Sequence, residues 1–422
     1  MSKYYQLAGL TGFVWLCVGM AVVASMHAGA AEMEAGPTLI LHDMPAAGSN
    51  EATLPLRQAE PARQTELVVP EFVNPLSTFE PGRNDSNPVW APTGKMLAIE
   101  RSRGEKREIV VSHIDGKLLQ TIYFQLSGTE KDSKTIQFLL PGLAEDPSYN
   151  SGVSWASDSK HLAFMSNGGE GNYDIYSQLL GGNVQRLTEH REKDGLADWS
   201  PTSNQIVFIS GRSGKGDVYL LDPETRAVKQ LTWGEKPYLY PRWSPDGKKI
   251  AMIYGSTENH DIYVMDDPAK PVASMRALTS WRYDDLRPSW SPDGKRIAFY
   301  TNYNTAGEQK KWSLAVIAAD GSDSVKGENL EGNIIATDVV PDIEEGPAWL
   351  GDGSGLVYVK DDALEYNPIY IVNVASKRSK QLKTETKMNH DISCGPNGLI
   401  AFRALRDQWD QIFIAKLPSG KK

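Results

Sequence analysis

Apolar and polar positions in this chain recur as a unit. Between Pro241 and Asp266 an apolar anchor, Trp243, precedes Ser244-Pro245-Asp246-Gly247, an alternating run from Ile250 to Tyr254, and a second run from Asp261 to Met265. Pro sets φ at the second position of a turn, Asp caps it through its side chain, and Gly accepts a left-handed φ, so these four residues predict a tight turn between two strands. The hairpin has one apolar face, which a single copy cannot bury. Aligning on Trp243 recovers Trp90, Trp155, Trp199, Trp290 and Trp349, with a degenerate seventh copy whose anchor position holds Ser393. Seven positions after each anchor comes an apolar–small–apolar triplet, from Leu97-Ala98-Ile99 to Ile400-Ala401-Phe402. The second hairpin strand begins about 20 positions after the anchor, as in Asp174-Ile175-Tyr176, Asp217-Val218-Tyr219 and Asp261-Ile262-Tyr263. Several copies then close on Leu-Thr, at Leu187-Thr188, Leu231-Thr232 and Leu278-Thr279.

The anchors are spaced 65, 44, 44, 47, 59 and 44 residues apart, the two long intervals being ordinary units with insertions. A four-stranded unit of about 40–45 residues is a propeller blade. The expected fold is therefore all-β: a β-propeller of four-stranded blades over residues 65–417, with seven blades favoured and six as the alternative count. The last copy ends at Leu417 without its Leu-Thr strand. The run from Thr65 to Phe72 is the available donor, so the ring is expected to be closed by an N-terminal strand that removes the open edge. Tryptophans at one repeated position read as packing residues.

The repeat Trp-Ser-Pro-Asp-Gly-x-x-Ile-Ala-Phe followed by Asp-Ile-Tyr-Val-Met-Asp, best matched at Trp243 to Asp266 and Trp290 to Phe299, resembles that of the TolB-type propeller. The resemblance implies a six-bladed propeller, a periplasmic location and a docking role. TolB also carries an α/β domain ahead of its propeller, where this chain has linker-like residues. Its role in the Tol–Pal system is therefore not carried over.

The N-terminus supports the compartment. Lys3 precedes an uncharged apolar stretch from Leu7 to Val23, and Ala28-Gly29-Ala30 offers a cleavage site before Ala31. Residues 1–30 are thus expected to be a signal peptide, an uncleaved anchor being the alternative. Residues 31–64, with Pro37, Pro45, Pro55 and Pro61, read as a linker, and 418–422 as a tail. Removal of the signal leaves Cys394 as the one cysteine, so no intramolecular disulfide is expected. A net charge of −9 without a clustered basic surface argues against a nucleic-acid partner.

Candidate chemistry lies in the loops entering the inner strands, which converge on one channel mouth. Five positions before the anchors stand Asp85, Asn150, Asp194, Tyr238, Asp285, Glu344 and Met388. Neighbouring positions add Asp146, Tyr149, Asp198, Tyr240, Asp284, Glu345, His390 and Asp391. From these, Asp85, Asn150, Asp194, Tyr238, Tyr240, Asp285, Glu344 and His390 form the expected binding set. A carboxylate ring with interleaved tyrosines suits an envelope protein or peptide with a basic segment. Backbone capping by Asp is the competing account of the same residues. No cofactor is expected beyond a possible Ca²⁺ held by oxygen ligands in the channel. The competing function is a carbohydrate-active enzyme, similar to polysaccharide lyases that hold a metal in the channel. The histidines show no His-x-His or His-Glu-x-x-His spacing to support it. A Gly-x-Ser-x-Gly elbow is lacking too, and Gly211 to Gly216 lacks the order of a phosphate loop.

Overall fold

The computed structural model describes residues 66–76, 78–104, 106–122, 150–168, 172–256, 259–280, 282–303, 311–326, 330–362 and 366–418. The expected signal and linker, Thr65, Asp146, Tyr149 and residues 419–422 of the tail lie outside them. Among the described residues the structure is all-β, with helix confined to the single turn Pro271–Ser274 and two 3₁₀ turns.

Each repeat forms an antiparallel meander. In the fourth, Tyr238–Trp243, Ile250–Ser256, Asn259–Met265 and Met275–Ala277 pair in chain order. The first, second and third repeats give the same four-stranded order. The turn chemistry is as expected: Gly247 N–H donates to the Ser244 carbonyl at 2.8 Å, and Ser244 Oγ–H donates to Asp246 Oδ1 at 2.6 Å. Gly247 has φ of +66°, and a Cβ there would run into the Thr202 side chain, so the position favours glycine on both counts.

The Leu-Thr ending also has a physical reason. Thr232 Oγ1 accepts from Val218 N–H at 2.9 Å and donates to Asp217 Oδ1 at 2.8 Å, and Thr188 serves Ile175 and Asp174 in the same way. The hydroxyl thus ties the edge strand to the Asp that opens the third strand.

The core lies between neighbouring sheets. The triplets Leu97-Ala98-Ile99 and Ile250-Ala251-Met252 are essentially fully buried. One apolar cluster joins the fourth and fifth repeats through Ile262, Trp290 and Phe299, another the first and second through Ile109, Trp155 and Phe164. A third joins the first repeat to the last, packing Leu97 and Ile99 against Ala401 and Ile412 over Leu76.

Three details differ from the expectations. First, the anchor of the seventh repeat is Cys394 rather than Ser393. Every anchor pairs with the first residue of its triplet, and Ile400 pairs with Cys394 because that hairpin loop is one residue shorter. Second, the fifth and sixth repeats are not separate sheets. The long strand Ile334–Val340 pairs with Trp312–Ala318 on one side and Gly355–Lys360 on the other, merging both repeats into a nine-stranded sheet. Third, the N-terminal segment makes two strands where one was expected. β1 (Leu67–Val68) lies parallel to the edge strand Ser379–Leu382, and β2 (Phe72–Pro75) lies antiparallel to Trp409–Lys416.

The anchors also bond from repeat to repeat. Trp155 Nε1 donates to the Val89 carbonyl (3.2 Å), Trp290 to Arg242 (3.0 Å), Trp349 to Ser289 (3.1 Å), and Cys394 Sγ to Ala348 (3.8 Å). In the third and fourth repeats the anchor's backbone N–H takes over, Trp199 donating to Ser154 Oγ (2.8 Å) and Trp243 to Asp198 Oδ2 (2.7 Å). Trp90 Nε1 donates to the Ser393 carbonyl at 3.0 Å, so the first repeat is tied to the last as the others are tied to their predecessors.

Two stability outcomes follow from this packing. Trp290, 9% exposed, fills an inter-sheet core, and Trp290→Ala is expected to cost about 3–5 kcal/mol in denaturant unfolding. Deleting residues 66–76 strips the last sheet of its edge strand and uncovers the cluster around Leu76. Scanning calorimetry should show a lower melting temperature, and an unchanged melt would contradict this assignment.

Candidate functional site

The structure divides the expected binding set in two. Asp85, Asn150, Asp194 and Asp285 have no exposed surface, and Tyr238 is 8% exposed. They sit in seams between repeats, where the entry to one inner strand meets the start of the preceding repeat's third strand. Asn150 Nδ2 donates to the Arg107 carbonyl (3.1 Å), Asp194 N–H to Tyr173 (2.8 Å) and Tyr238 N–H to Gly216 (2.9 Å). With the corrected register the seventh member is Asn389 rather than Met388, and its Nδ2 donates to the Asn367 carbonyl at 2.9 Å.

Two of these carboxylates face arginines of their own repeat. Asp85 accepts from Arg101 Nε (2.7 Å) and Nη2 (3.1 Å), and Asp194 from Arg212 Nη2 (2.8 Å). Placed in the expected binding mouth, Asp85 and Asp194 instead have no accessible surface and a guanidinium of the same repeat across each carboxylate, and it is bonds such as Asp194 N–H to the Tyr173 carbonyl that latch adjacent repeats.

A different offset leads inward. In six of the seven repeats the inner strand bulges near the residue three before its anchor, and that residue has positive φ in every copy: Asn87 (48°), Gly152 (66°), Leu196 (54°), Tyr240 (53°), Arg287 (58°), Gly346 (91°) and Asp391 (47°). A left-handed conformation is costly for side chains such as Leu, Tyr and Arg, and it re-aims the residue out of the ladder.

Around these bulges, residues far apart in sequence meet. The Arg287 guanidinium lies 3.4 Å from the Tyr240 ring centroid. Arg242 stands between Asp198 (3.9 Å) and Glu345 (3.5 Å), and Arg403 between Asp391 (2.8 Å) and Asp410 (3.2 Å). Asn87 N–H donates to Asp391 Oδ2 at 3.4 Å, and Gly152 N–H to Glu100 Oε1 at 2.9 Å. Glu344 interacts with Arg287, Asp342, Asp391 and Arg107. Of the expected set, therefore, Tyr240 and Glu344 belong to this centre.

Carboxyl groups outnumber guanidinium groups there, and burial raises their pKa values. Burial, reinforced by Glu344, pushes Glu100 up to about 8. Asp342 is raised by burial and by Asp391, while burial raises Asp198, Glu344, Glu345 and Asp391 as well. His390 lies at the margin. Burial and then Arg403 push its pKa down to about 4, so it is neutral, with Nε2 accepting from Asn367 Nδ2 at 3.1 Å.

Sequence reasoning missed Glu100, Arg107, Arg242, Arg287, Asp342 and Arg403. Two signals could have found some of them. Asn87, Gly152 and Gly346 tolerate positive φ and mark the bulge column that also holds Arg287. Glu100 and Arg403 occupy the position after the triplet, which is apolar in Met165, Ile209 and Ile253.

Among the described residues no three His, Cys, Asp or Glu side chains form a group that could hold a metal ion. No helix there is long and apolar enough to cross a membrane.

The raised pKa of Glu100 sets a pH dependence. A carboxyl group that binds its proton more tightly folded than unfolded stabilises the fold fully below the unfolded value of about 4.5, and that contribution is lost as pH rises through about 8. Glu100→Gln should therefore hold its urea midpoint better than the wild type between pH 5 and pH 9. Parallel midpoint–pH curves would contradict the assignment.

Comparison with known proteins agrees with this architecture. No curated protein matches the sequence. The solved structure of an oligogalacturonate lyase from Vibrio parahaemolyticus is similar at a TM-score of 0.59 with 14% identity, over 83% of this chain and 94% of that one. A puromycin-hydrolyzing peptidase from Mycobacterium tuberculosis gives 0.59 and 12% identity, over 82% of this chain and 54% of that one. TolB from Acinetobacter baumannii gives 0.47 and 19% identity over 74% of this chain, which spans 66% of that protein's length. The likenesses to the lyase and the peptidase speak to fold alone. The family model for the TolB beta propeller domain matches residues 141–337 of the chain.

Proposed function

We propose that the repeats are seven blades of one closed propeller, exported to the periplasm, that serves as a non-catalytic docking scaffold for an envelope protein. The bond from Trp90 to Ser393 and the pairing of β2 with the last repeat support the closure. The signal-like N-terminus supports the compartment. The observation that carries the docking role is the central lattice around Asp198, Glu344, Glu345 and Asp391, where carboxyl groups are in excess over Arg242, Arg287 and Arg403. A partly enclosed negative field attracts a basic polypeptide segment and speeds its encounter.

A second reading is a carbohydrate-active enzyme. It draws on the likeness to oligogalacturonate lyase and on buried acids of raised pKa beside arginines, a combination that catalytic sites share with structural ion networks. The described residues do not supply the metal-ligand group such an enzyme would call for, so no step is assigned to a metal.

Cross-linking in intact cells, with wild type and Glu344→Gln compared, tests the docking reading. A partner captured by the wild type should associate more slowly with the variant, and the difference should shrink as salt rises. Equal on-rates at low and moderate salt would overturn it, as would release of unsaturated products from polygalacturonate by the purified protein.

A further inference from the structure

A cavity of about 290 Å³ opens where the inner strands of the third, fourth and fifth repeats end. Trp243, Pro245 and Pro288 are among its walls, and Asp198, Arg242 and Glu345 bring charge to it. Ligand sites for whole small molecules begin at roughly 300 Å³, so this volume suits one long side chain better than an oligomer.

Its polar groups are incompletely matched. Arg242 is shared between two carboxylates, at 3.9 Å from Asp198 and 3.5 Å from Glu345, both longer than the roughly 2.7–2.9 Å of a good charge-assisted hydrogen bond. Asp198 Oδ2 is engaged by Trp243 N–H at 2.7 Å, whereas the Glu345 carboxylate has no closer partner than Arg242 among the described residues. Arg287 adds positive charge nearby, but it is shared with Glu344 and lies against Tyr240. At the cavity itself Asp198 and Glu345 thus share the single guanidinium of Arg242, Arg287 being divided between Glu345 and Glu344. Trp243, 7% exposed, adds a buried indole N–H that has no acceptor among the described residues, unlike the corresponding group of Trp155, Trp290 and Trp349.

We propose that this cavity seats a single arginine or lysine side chain of a docked polypeptide, an inference that rests on the docking reading above. The cationic head lies between Glu345 and Asp198, where an added donor supplies the hydrogen bonds that Arg242 makes poorly. The methylene stem lies on the Trp and Pro walls, as long cationic side chains do on apolar surface. The backbone stays outside.

The probe is a capped pentapeptide, acetyl-Gly-Gly-Arg-Gly-Gly-amide, paired with its citrulline analogue, which keeps the shape and removes the charge. Binding is read by tryptophan fluorescence and calorimetry on the full chain. The arginine peptide should bind at least about tenfold more tightly than the citrulline peptide, a difference of about 1.4 kcal/mol. Glu345→Gln should abolish that preference while leaving the melting temperature unchanged. Equal affinities, no binding of the arginine peptide to the wild type, or a preference that survives Glu345→Gln would each overturn the proposal. The two readings fail separately. A partner lost on Glu344→Gln with no binding of the arginine peptide removes the cavity and keeps the docking scaffold. A cavity that selects arginine in a protein whose partner ignores Glu344→Gln does the reverse.

Discussion

The bond from each anchor to the repeat before it is the constraint on which the rest depends. An inner strand is the edge of its own sheet, so the carbonyl next to its anchor has no ladder partner. At Trp90, Trp155, Trp290 and Trp349 the next repeat's indole answers this with a large apolar ring carrying one donor and no acceptor, which fills the inter-sheet core and satisfies the carbonyl together. A single hydrogen bond contributes only about 0.5–1.5 kcal/mol net, but leaving a buried carbonyl unpaired costs more. Cys394 shows the limit of the device. Its thiol is a weak donor 3.8 Å from the Ala348 carbonyl, and the ring of Trp90 covers the adjacent Gly395, where a Cβ would meet the indole at 2.6 Å.

That constraint leaves the centre free to carry strain. Once the two ends of an inner strand are held, by a seam contact such as Asp194 N–H to Tyr173 at one end and by the anchor at the other, the bulge between them can adopt positive φ even at Leu196, Tyr240 and Arg287. Unusual backbone persists only where its surroundings over-determine it. Here those surroundings are the buried seam residues, so the polar centre and the structural latches are two outputs of one repeated strand.

This division explains what was legible in the sequence. The hairpin, the turn at Gly247 and the apolar triplets were readable because each is local and repeats with a fixed period. The centre was readable only in part. Counting back five residues from the anchor reached Asp85 and Asp194, which face arginines of their own repeats, because a bulge shifts side-chain direction in a way that simple alternation does not encode. Tyr240 lies at a different offset from the one that the anchor spacing picks out, and Arg242 and Arg287 carry no spacing or turn signal that sets them apart from other strand arginines. The missing residue in the last hairpin loop displaced the seventh anchor by one, from Cys394 to Ser393, an error that only the pairing of Ile400 exposes.

The pairing of β2 with Trp409–Lys416 has a consequence for how the chain reaches this state. Phe72 lies opposite Lys416, so two strands nearly a whole chain apart must meet before the last sheet exists. Such non-local pairing is slow, because the entropy of closing the intervening loop is spent before any contact rewards it. Each internal repeat completes its meander from residues that leave the ribosome together, whereas β2 emerges among the first and waits for the last. During that wait the chain holds an apolar edge strand without its mate, the species most exposed to mispairing with a neighbour. The element that completes the molecule is thus also the one that sets the interval during which it must be kept from aggregation.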